Sequence, residues 1–274
     1  MAVITAAPAT GAATRTTGLG PSTLQIAKRS LLRYLRTPQL IVLGTIQGAM
    51  FLLIFRYVFG GAIPIKGGLP YVDFLVPGFI TTGVLFAGMA ASSGAAEDLQ
   101  QGFVDRLRSL PVPRVSFLTG RAIADTAWNT WGLAVTAAIG FAVGFRIHGP
   151  AIDALAAFGL CVVFGFAFEW LFIMLGLIAG TPQAAQGMAL LVFPFTFVSS
   201  AYIPVSSMPG WMQAFASHQP ITYMVDAVRS LSEGHAAELV IGHSTGYLVG
   251  GSLLWSLGFV VVFAPLAALK YKHS

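Results

Sequence analysis

EDLQQGFVDRLRSLPVPR, Glu97 to Arg114, is the longest polar run in a chain that is otherwise mostly apolar. It carries three acids and three arginines, yet Leu99, Phe103, Leu107 and Leu110 recur at i, i+4, i+8 and i+11. That spacing predicts a short amphipathic helix with one apolar stripe. Glu97 and Asp98 fall at its predicted start and Arg106 and Arg108 near its end, an order that complements the helix dipole. Pro111 and Pro113 stop it. The segment is too short and too charged to cross a bilayer, so its stripe needs another surface. Helices that lie on lipid are normally basic, whereas this one balances its charges. The balance favours a groove on a protein over a lipid surface.

On both sides of this segment the sequence is apolar. Of all residues, 56% are hydrophobic and 9% are charged, with a mean hydropathy of +0.78. A soluble domain has roughly 25% charged residues, so the natural solvent of this chain is a bilayer. The net charge of +5 is small for 274 residues. No run of five like charges occurs, so a nucleic-acid footprint is not supported. One cysteine, Cys161, allows neither a disulfide framework nor a Cys-based metal site.

Six stretches can supply the roughly 20 apolar residues that a spanning helix needs. They are residues 39–59, 72–95, 116–145, 152–180, 184–203 and 246–268. The third begins with Arg121 and Asp125 in its first turns. Placing the N-terminus in the cytoplasm puts 11 of the 15 lysines and arginines inside and 4 outside. The positive-inside rule then predicts that both termini and the 97–114 segment are cytoplasmic. Residues 1–20, mostly Ala, Thr and Gly, lack the basic start and apolar core of a signal peptide. They read as a disordered tail preceding a membrane domain over 21–274.

Two predicted features flank the spans. Leu24–Arg36 places Leu24, Ala27, Leu31, Leu32 and Leu35 on one face, with Lys28, Arg29, Arg33 and Arg36 as its cations. Such a helix suits the cytoplasmic interface, its cations meeting anionic headgroups; the alternative is an ordinary charged stop before a span. Ala201–Met224 is apolar and aromatic but interrupted by Pro204, Pro209 and Pro220. With Trp211, Phe215 and Tyr223, it suits an outer re-entrant or interfacial hairpin, either a gate or a well-packed loop. His218 lies within it.

The chain lacks a G-x-x-x-x-G-K-[ST] phosphate loop, and none of its four lysines follows a glycine. H-E-x-x-H and G-x-S-x-G are absent, and the five histidines show no metal-ligand spacing. Ser92-Ser93 sits near a predicted cytoplasmic membrane end, away from the histidines. No catalytic or metal-ligating residue is therefore predicted, and the chain is not read as an enzyme. Glu169 is the ionisable residue deepest in a predicted span. A lone glutamate makes a thin proton relay, which favours a structural or gating hydrogen bond.

The 97–114 segment resembles the cytoplasmic loop of ABC type-2 permeases, especially the daunorubicin-resistance type. That pattern is an acidic pair or E-R-E, a glycine, a short run of acids and arginines, then L-P-V-x-R. Glu97, Asp98, Gly102, Arg106, Leu107, Leu110, Pro111, Val112 and Arg114 occupy those positions. Asp98 departs from it where arginine is frequent. Tyr202-Ile203-Pro204, Met208 to Met212, His218 to Tyr223 and Asp226 to Arg229 are similar to the family's segment before its last span. The resemblance covers about residues 20–270.

It implies an all-α bacterial plasma-membrane subunit with six spans, dimerising with a second permease, identical or related. It also implies two ATP-binding-cassette ATPase subunits on the cytoplasmic face, which hold the ATP and Mg; this chain needs no cofactor. In such proteins the first loop is the coupling helix that enters a cleft on the ATPase. The leading amphipathic helix also contacts that subunit, and the outer hairpin shapes the exit. The predicted function is export of hydrophobic or amphipathic compounds, drug or lipid-like. Two other classes remain open: a non-transporting membrane assembly subunit, and a proton-coupled carrier. Internal repeats would favour the carrier, and none is evident.

Overall fold

The computed structural model describes residues 18–63, 65, 68–102 and 115–273. Among these, all regular structure is helical. Helix α1 runs Leu19–Leu35 and ends at Thr37-Pro38, where proline restricts the residue before it. Helix α2, Pro38–Ile54, takes that proline at its first position and continues into a π-helical turn, Phe55–Phe59. Helix α3 is Tyr71–Gln100, α4 is Val115–Ala142 and α5 is Ala151–Ala179. After Gly180 the chain makes α6, Pro182–Leu190, and α7, Phe193–Phe197. A 3-10 turn at Val205–Ser207 precedes α8, Gly210–Ala216, and α9, Pro220–Glu233. Helix α10, His235–Ile241, leads into α11, Thr245–His273.

Helix α3 sits centrally, packed by α4, α5, α6 and α9, while α5 packs in turn against α11. The main core joins Phe74, Leu75, Phe164, Phe168 and Phe172 to Met224 and Val225 of α9. A second core gathers Ile26 of α1, Phe117 and Leu118 of α4, Trp170 and Ile173 of α5, and Tyr271 of α11. Leu253, Leu254, Leu257 and Val261 leave an apolar face of α11 exposed. A contiguous face of that kind needs lipid or another protein against it.

Among the described residues, three helices are long and apolar enough to cross a membrane: α3, α5 and α11. Helix α4 has the length, 28 residues, but buries Arg121, Asp125 and Asn129. The stretch 184–203, expected as one span, is divided. Pro194 lacks an amide donor and cannot continue the ladder of α6. Beyond it, hydroxyls take over main-chain partners: Ser199 Oγ donates to Thr196 O at 2.6 Å and accepts from Ala201 N at 3.2 Å.

A second difference concerns the opening segment. Helix α3 does not stop at residue 95; it continues through Glu97, Asp98 and Leu99 to Gln100. Ala95 to Gln100 are good or tolerated helix formers, and nothing among them breaks the ladder. Gly102, at φ +66°, ends it in the left-handed region with its amide bonded to Leu99 O. Glu97 and Asp98 therefore lie in a last turn, where acids oppose the dipole, and the stripe is not continuous from Leu99. Residues 103–114, including Phe103, Arg106, Leu107, Leu110, Pro111 and Arg114, lie outside the described residues, as do 1–17 of the predicted tail. Leu19 and Gly20 already belong to α1.

Candidate functional site

The acids that end α3 need cations, and two helices supply them. Arg121 of α4 is 4% exposed and Asp98 is 2% exposed. Arg121 Nη1 donates to Asp98 Oδ2 at 2.5 Å, Nη2 donates to Ala91 O at 3.1 Å, and Nε lies 3.2 Å from Asp125 Oδ2. Gly94 makes room for this guanidinium, because a Cβ there would sit 2.3 Å from Nη2. From α1, Arg33 pairs with Glu97, and Arg29 and Arg33 approach Asp98 Oδ1 at 3.6 and 3.7 Å. Tyr34 donates its hydroxyl to Asp125 Oδ1 at 2.8 Å and stacks on Trp128 at 5.1 Å between ring centroids. Three carboxylates and three guanidiniums thus tie α1, α3 and α4 together.

The same geometry shows which face of α1 meets the rest of the protein. Its protein-facing residues are Ser22, Ile26, Ala27 and Ser30, small enough to approach α4 closely, whereas Leu24, Leu32 and Leu35 are exposed. Arg29 and Arg33 turn to the acids of α3 rather than outward to headgroups; Lys28 and Arg36 stay on the exposed face.

Above the network lies a cavity of about 520 Å³ between α2, α3, α4, α6 and α7. The π turn brings Phe55 to its wall, where it stacks on Tyr202 at 4.9 Å; Phe79 meets Tyr202 edge-on at 5.7 Å. Trp128, Trp131 and Phe197 line other parts of it, with Gln47 and Asn129 as polar points.

At the other end of α3 a second buried arginine organises the chain. Arg229 of α9 is fully buried and lies over the Phe74 ring, 3.6 Å from its centroid. Its Nε donates to Phe74 O at 2.9 Å, Nη1 to Asp226 Oδ1 at 2.7 Å and Nη2 to Ser200 O at 2.8 Å. It thereby holds the irregular 199–203 backbone against α3.

A chain with long apolar helices, a charged helix end and an aromatic cavity invites comparison with membrane transporters. The sequence matches the ABC-2 type transporter family over residues 21–232. The chain belongs to that family. The daunorubicin resistance ABC transporter permease protein DrrB1 of Streptomyces coeruleorubidus is 30% identical over 253 residues, covering 92% of this chain and 86% of that protein. The probable doxorubicin resistance ABC transporter permease protein DrrC of Mycobacterium tuberculosis is 27% identical over 259 residues, covering 92% and 88%. The inner membrane transport permease YadH of Escherichia coli is 26% identical over 196 residues, covering 70% and 74%.

As an ABC-2 permease the chain is a membrane subunit and not an enzyme; ATP hydrolysis belongs to a separate ABC ATPase subunit with which such permeases associate. Within this permease, Pro204 and Pro209 immediately precede the 3-10 turn and α8, and Pro220 opens α9, as proline favours at helix starts. Trp211 is 76% exposed, and His218 Nδ1 lies 2.9 Å from Ala214 O. Glu169 is 1% exposed, its Oε2 has no hydrogen-bond partner, and it interacts electrostatically with Asp125 and Arg121. Leu99 packs into the second core, against the side of the protein rather than outward. The sequence placed Arg229 in a family-like segment without marking it as a buried anchor, and the aromatic cavity was not anticipated. The i, i+3 spacing of Asp226 and Arg229 was the available signal for the arginine.

Proposed function

We propose that this permease is the membrane half of an exporter of hydrophobic or amphipathic compounds, working as a dimer with a second permease and driven by two ABC ATPase subunits. The cavity carries this reading. Its size falls in the range of small-molecule sites, its wall is apolar and rich in aromatic rings, and a few polar groups are placed to orient a ligand. The drug-resistance names of two relatives favour the same cargo class.

In this reading α2, α3, α4, α5 and α11 cross the bacterial plasma membrane and α6 with α7 makes the broken fifth of six crossings, which leaves both termini in the cytoplasm and turns the Glu97–Asp98 end to the ATPase. Residues 103–114 dock on it through Phe103, Leu107 and Leu110. Motion there reaches α3 directly, and reaches α1 and α4 through the arginine–carboxylate network. Helices α3 and α4 both line the cavity, so a push at one end changes the cavity's shape. The ATPase shifts this equilibrium only through contacts that differ between its nucleotide states.

The test is ATP-driven uptake of doxorubicin into inside-out proteoliposomes holding the permease and its ATPase. Trp131→Ala and Phe197→Ala remove half-exposed cavity walls, so the fold is spared. Each deletion gives up roughly 1.5–3 kcal/mol of apolar contact, and transport is expected to fall about tenfold or more while the ATPase still co-purifies. Unchanged transport in both variants refutes the cavity as the path. Uptake that persists on a proton gradient with a hydrolysis-dead ATPase points to a carrier. An assembled, hydrolysing complex that moves no substrate points to the assembly-subunit class.

A further inference from the structure

Asp73, His148 and Glu233 come from three separate parts of the chain, and each offers one ligand atom within 4.8 Å of the others. Asp73 lies in the first turn of α3 and is 3% exposed; Glu233 ends α9 and is 2% exposed. His148 belongs to the connection between α4 and α5, its side chain half exposed, with Nδ1 2.7 Å from Glu233 Oε2. The main chain fixes this approach. His148 N and Gly149 N both donate to Ser232 O, at 3.1 and 2.9 Å, and Arg146 N donates to Asp73 Oδ1 at 3.0 Å.

Two carboxylates this buried and this close need positive charge. Among the described residues, no lysine or arginine side chain forms an ion pair with Asp73 or Glu233. Arg229 is near Glu233, but each of its three nitrogens already bonds elsewhere, to Phe74 O, Asp226 and Ser200 O. Among the described residues, nothing donates a hydrogen bond to the buried Glu233 Oε1. An imidazole nitrogen and two buried carboxylates, one ligand atom from each within 4.8 Å of the others, make a donor set that a cation can share.

We propose that Asp73, His148 and Glu233 bind one divalent transition-metal ion of the zinc class. An imidazole nitrogen with two carboxylate oxygens is a borderline donor set; hard Ca²⁺ and Mg²⁺ take all-oxygen shells. Two carboxylates and a neutral imidazole leave a site that a dication neutralises. Three protein ligands leave a fourth position for water, reached from the exposed side of His148. Zinc bonds of about 2.0–2.2 Å put ligand atoms roughly 3.4 Å apart, so the ring and Glu233 must separate slightly as the ion enters. The ion replaces the proton between Nδ1 and Oε2, which passes to water. Bound there, it clips the start of α3, the α4–α5 connection and the end of α9 into one unit.

The experiment is Zn²⁺ titration of the full-length permease, stripped with a chelator and held in lipid nanodiscs, read by calorimetry and by thermal midpoint. One Zn²⁺ per chain, a raised midpoint, and no displacement by a large excess of Mg²⁺ or Ca²⁺ are expected. His148→Ala keeps both main-chain bonds to Ser232 and should weaken binding at least about tenfold. Glu233→Gln should do the same, while His243→Ala, outside the cluster, should bind as the unaltered chain does. Absence of saturable binding to the unaltered chain overturns the proposal. So does binding by His148→Ala at the original stoichiometry and affinity, which decides the matter even if Glu233→Gln fails to fold. Equal displacement by Mg²⁺ overturns the metal class.

Discussion

Asp73 and Asp98 stand near opposite ends of α3, about 38 Å apart along the helix at 1.5 Å per residue, and both are almost fully buried. They are satisfied in different ways. At the Asp98 end, side chains grip side chains: Arg29, Arg33 and Arg121 meet Glu97, Asp98 and Asp125 across three helices. At the Asp73 end, the buried arginine is committed mainly to main-chain carbonyls, Phe74 O and Ser200 O. The carboxylates Asp73 and Glu233 are left with one backbone amide, that of Arg146, and a half-exposed histidine. The first arrangement joins rigid helices so that they move together. The second repairs a broken stretch of backbone and leaves an end that responds to what the solvent offers.

The largest way to break this contrast is Arg121→Leu. It strands Asp98 and Asp125 in a buried site, and removing one partner of such a pair costs about 3–5 kcal/mol. Thermal unfolding followed by size-exclusion chromatography in detergent should show a large drop in midpoint, and limited proteolysis should show the Asp98 end of α3 loosened from α4. Arg229→Leu comes next. It gives up two main-chain hydrogen bonds at roughly 1 kcal/mol each and strands one buried carboxylate, Asp226, where Arg121→Leu strands two. Its damage should be local, seen as faster amide exchange in 199–203 with the Asp98 end of α3 still held. If Arg229→Leu loosens the Asp98 end of α3, or Arg121→Leu leaves it as firmly held as before, the two ends are not separate units.

How much of this was legible in the sequence follows from which forces are local. Hydropathy located α3, α5 and α11 within a few residues, because burial in lipid or core acts on whole helices. It erred where a polarity boundary and a helix boundary differ. Glu97 and Asp98 look like the start of a new polar helix, yet the ladder ignores polarity and runs to Gly102. It erred again at 184–203, where composition suits a span but Pro194 and the Ser/Thr-rich turn break it. The site was less legible than the fold. The cations of α1 and α4 were readable as charges but not as partners of Asp98, because the pairing spans 64 residues or more from α1 and 23 from α4. The aromatic cavity and the Asp73–His148–Glu233 cluster are assembled from elements far apart in the chain, so no spacing rule could have reported them.

The smallest predicted effect sharpens the comparison by pH. Burial pushes the Glu233 carboxyl up to about 7, Asp73 adding to the rise while His148 and Arg229 oppose it. The bond to Glu233, with help from Asp73, raises His148 above its ordinary value. Both groups hold protons more tightly folded than unfolded. Their contribution is therefore fully present below the unfolded carboxylate value and is lost as pH rises through about 7. In chelated buffer, exchange of amides 146–150 and 230–236, corrected for its intrinsic pH dependence, should speed up between about pH 5 and about pH 8. The half-exposed histidine keeps the change modest. Glu233→Gln cannot ionise and should flatten the profile, and saturating Zn²⁺ should flatten it in the unaltered chain by taking the proton's place. Amides 91–100 should show no matching rise. A parallel rise there would mean the Asp98 end is as responsive as the Asp73 end, and the distinction between them would fail.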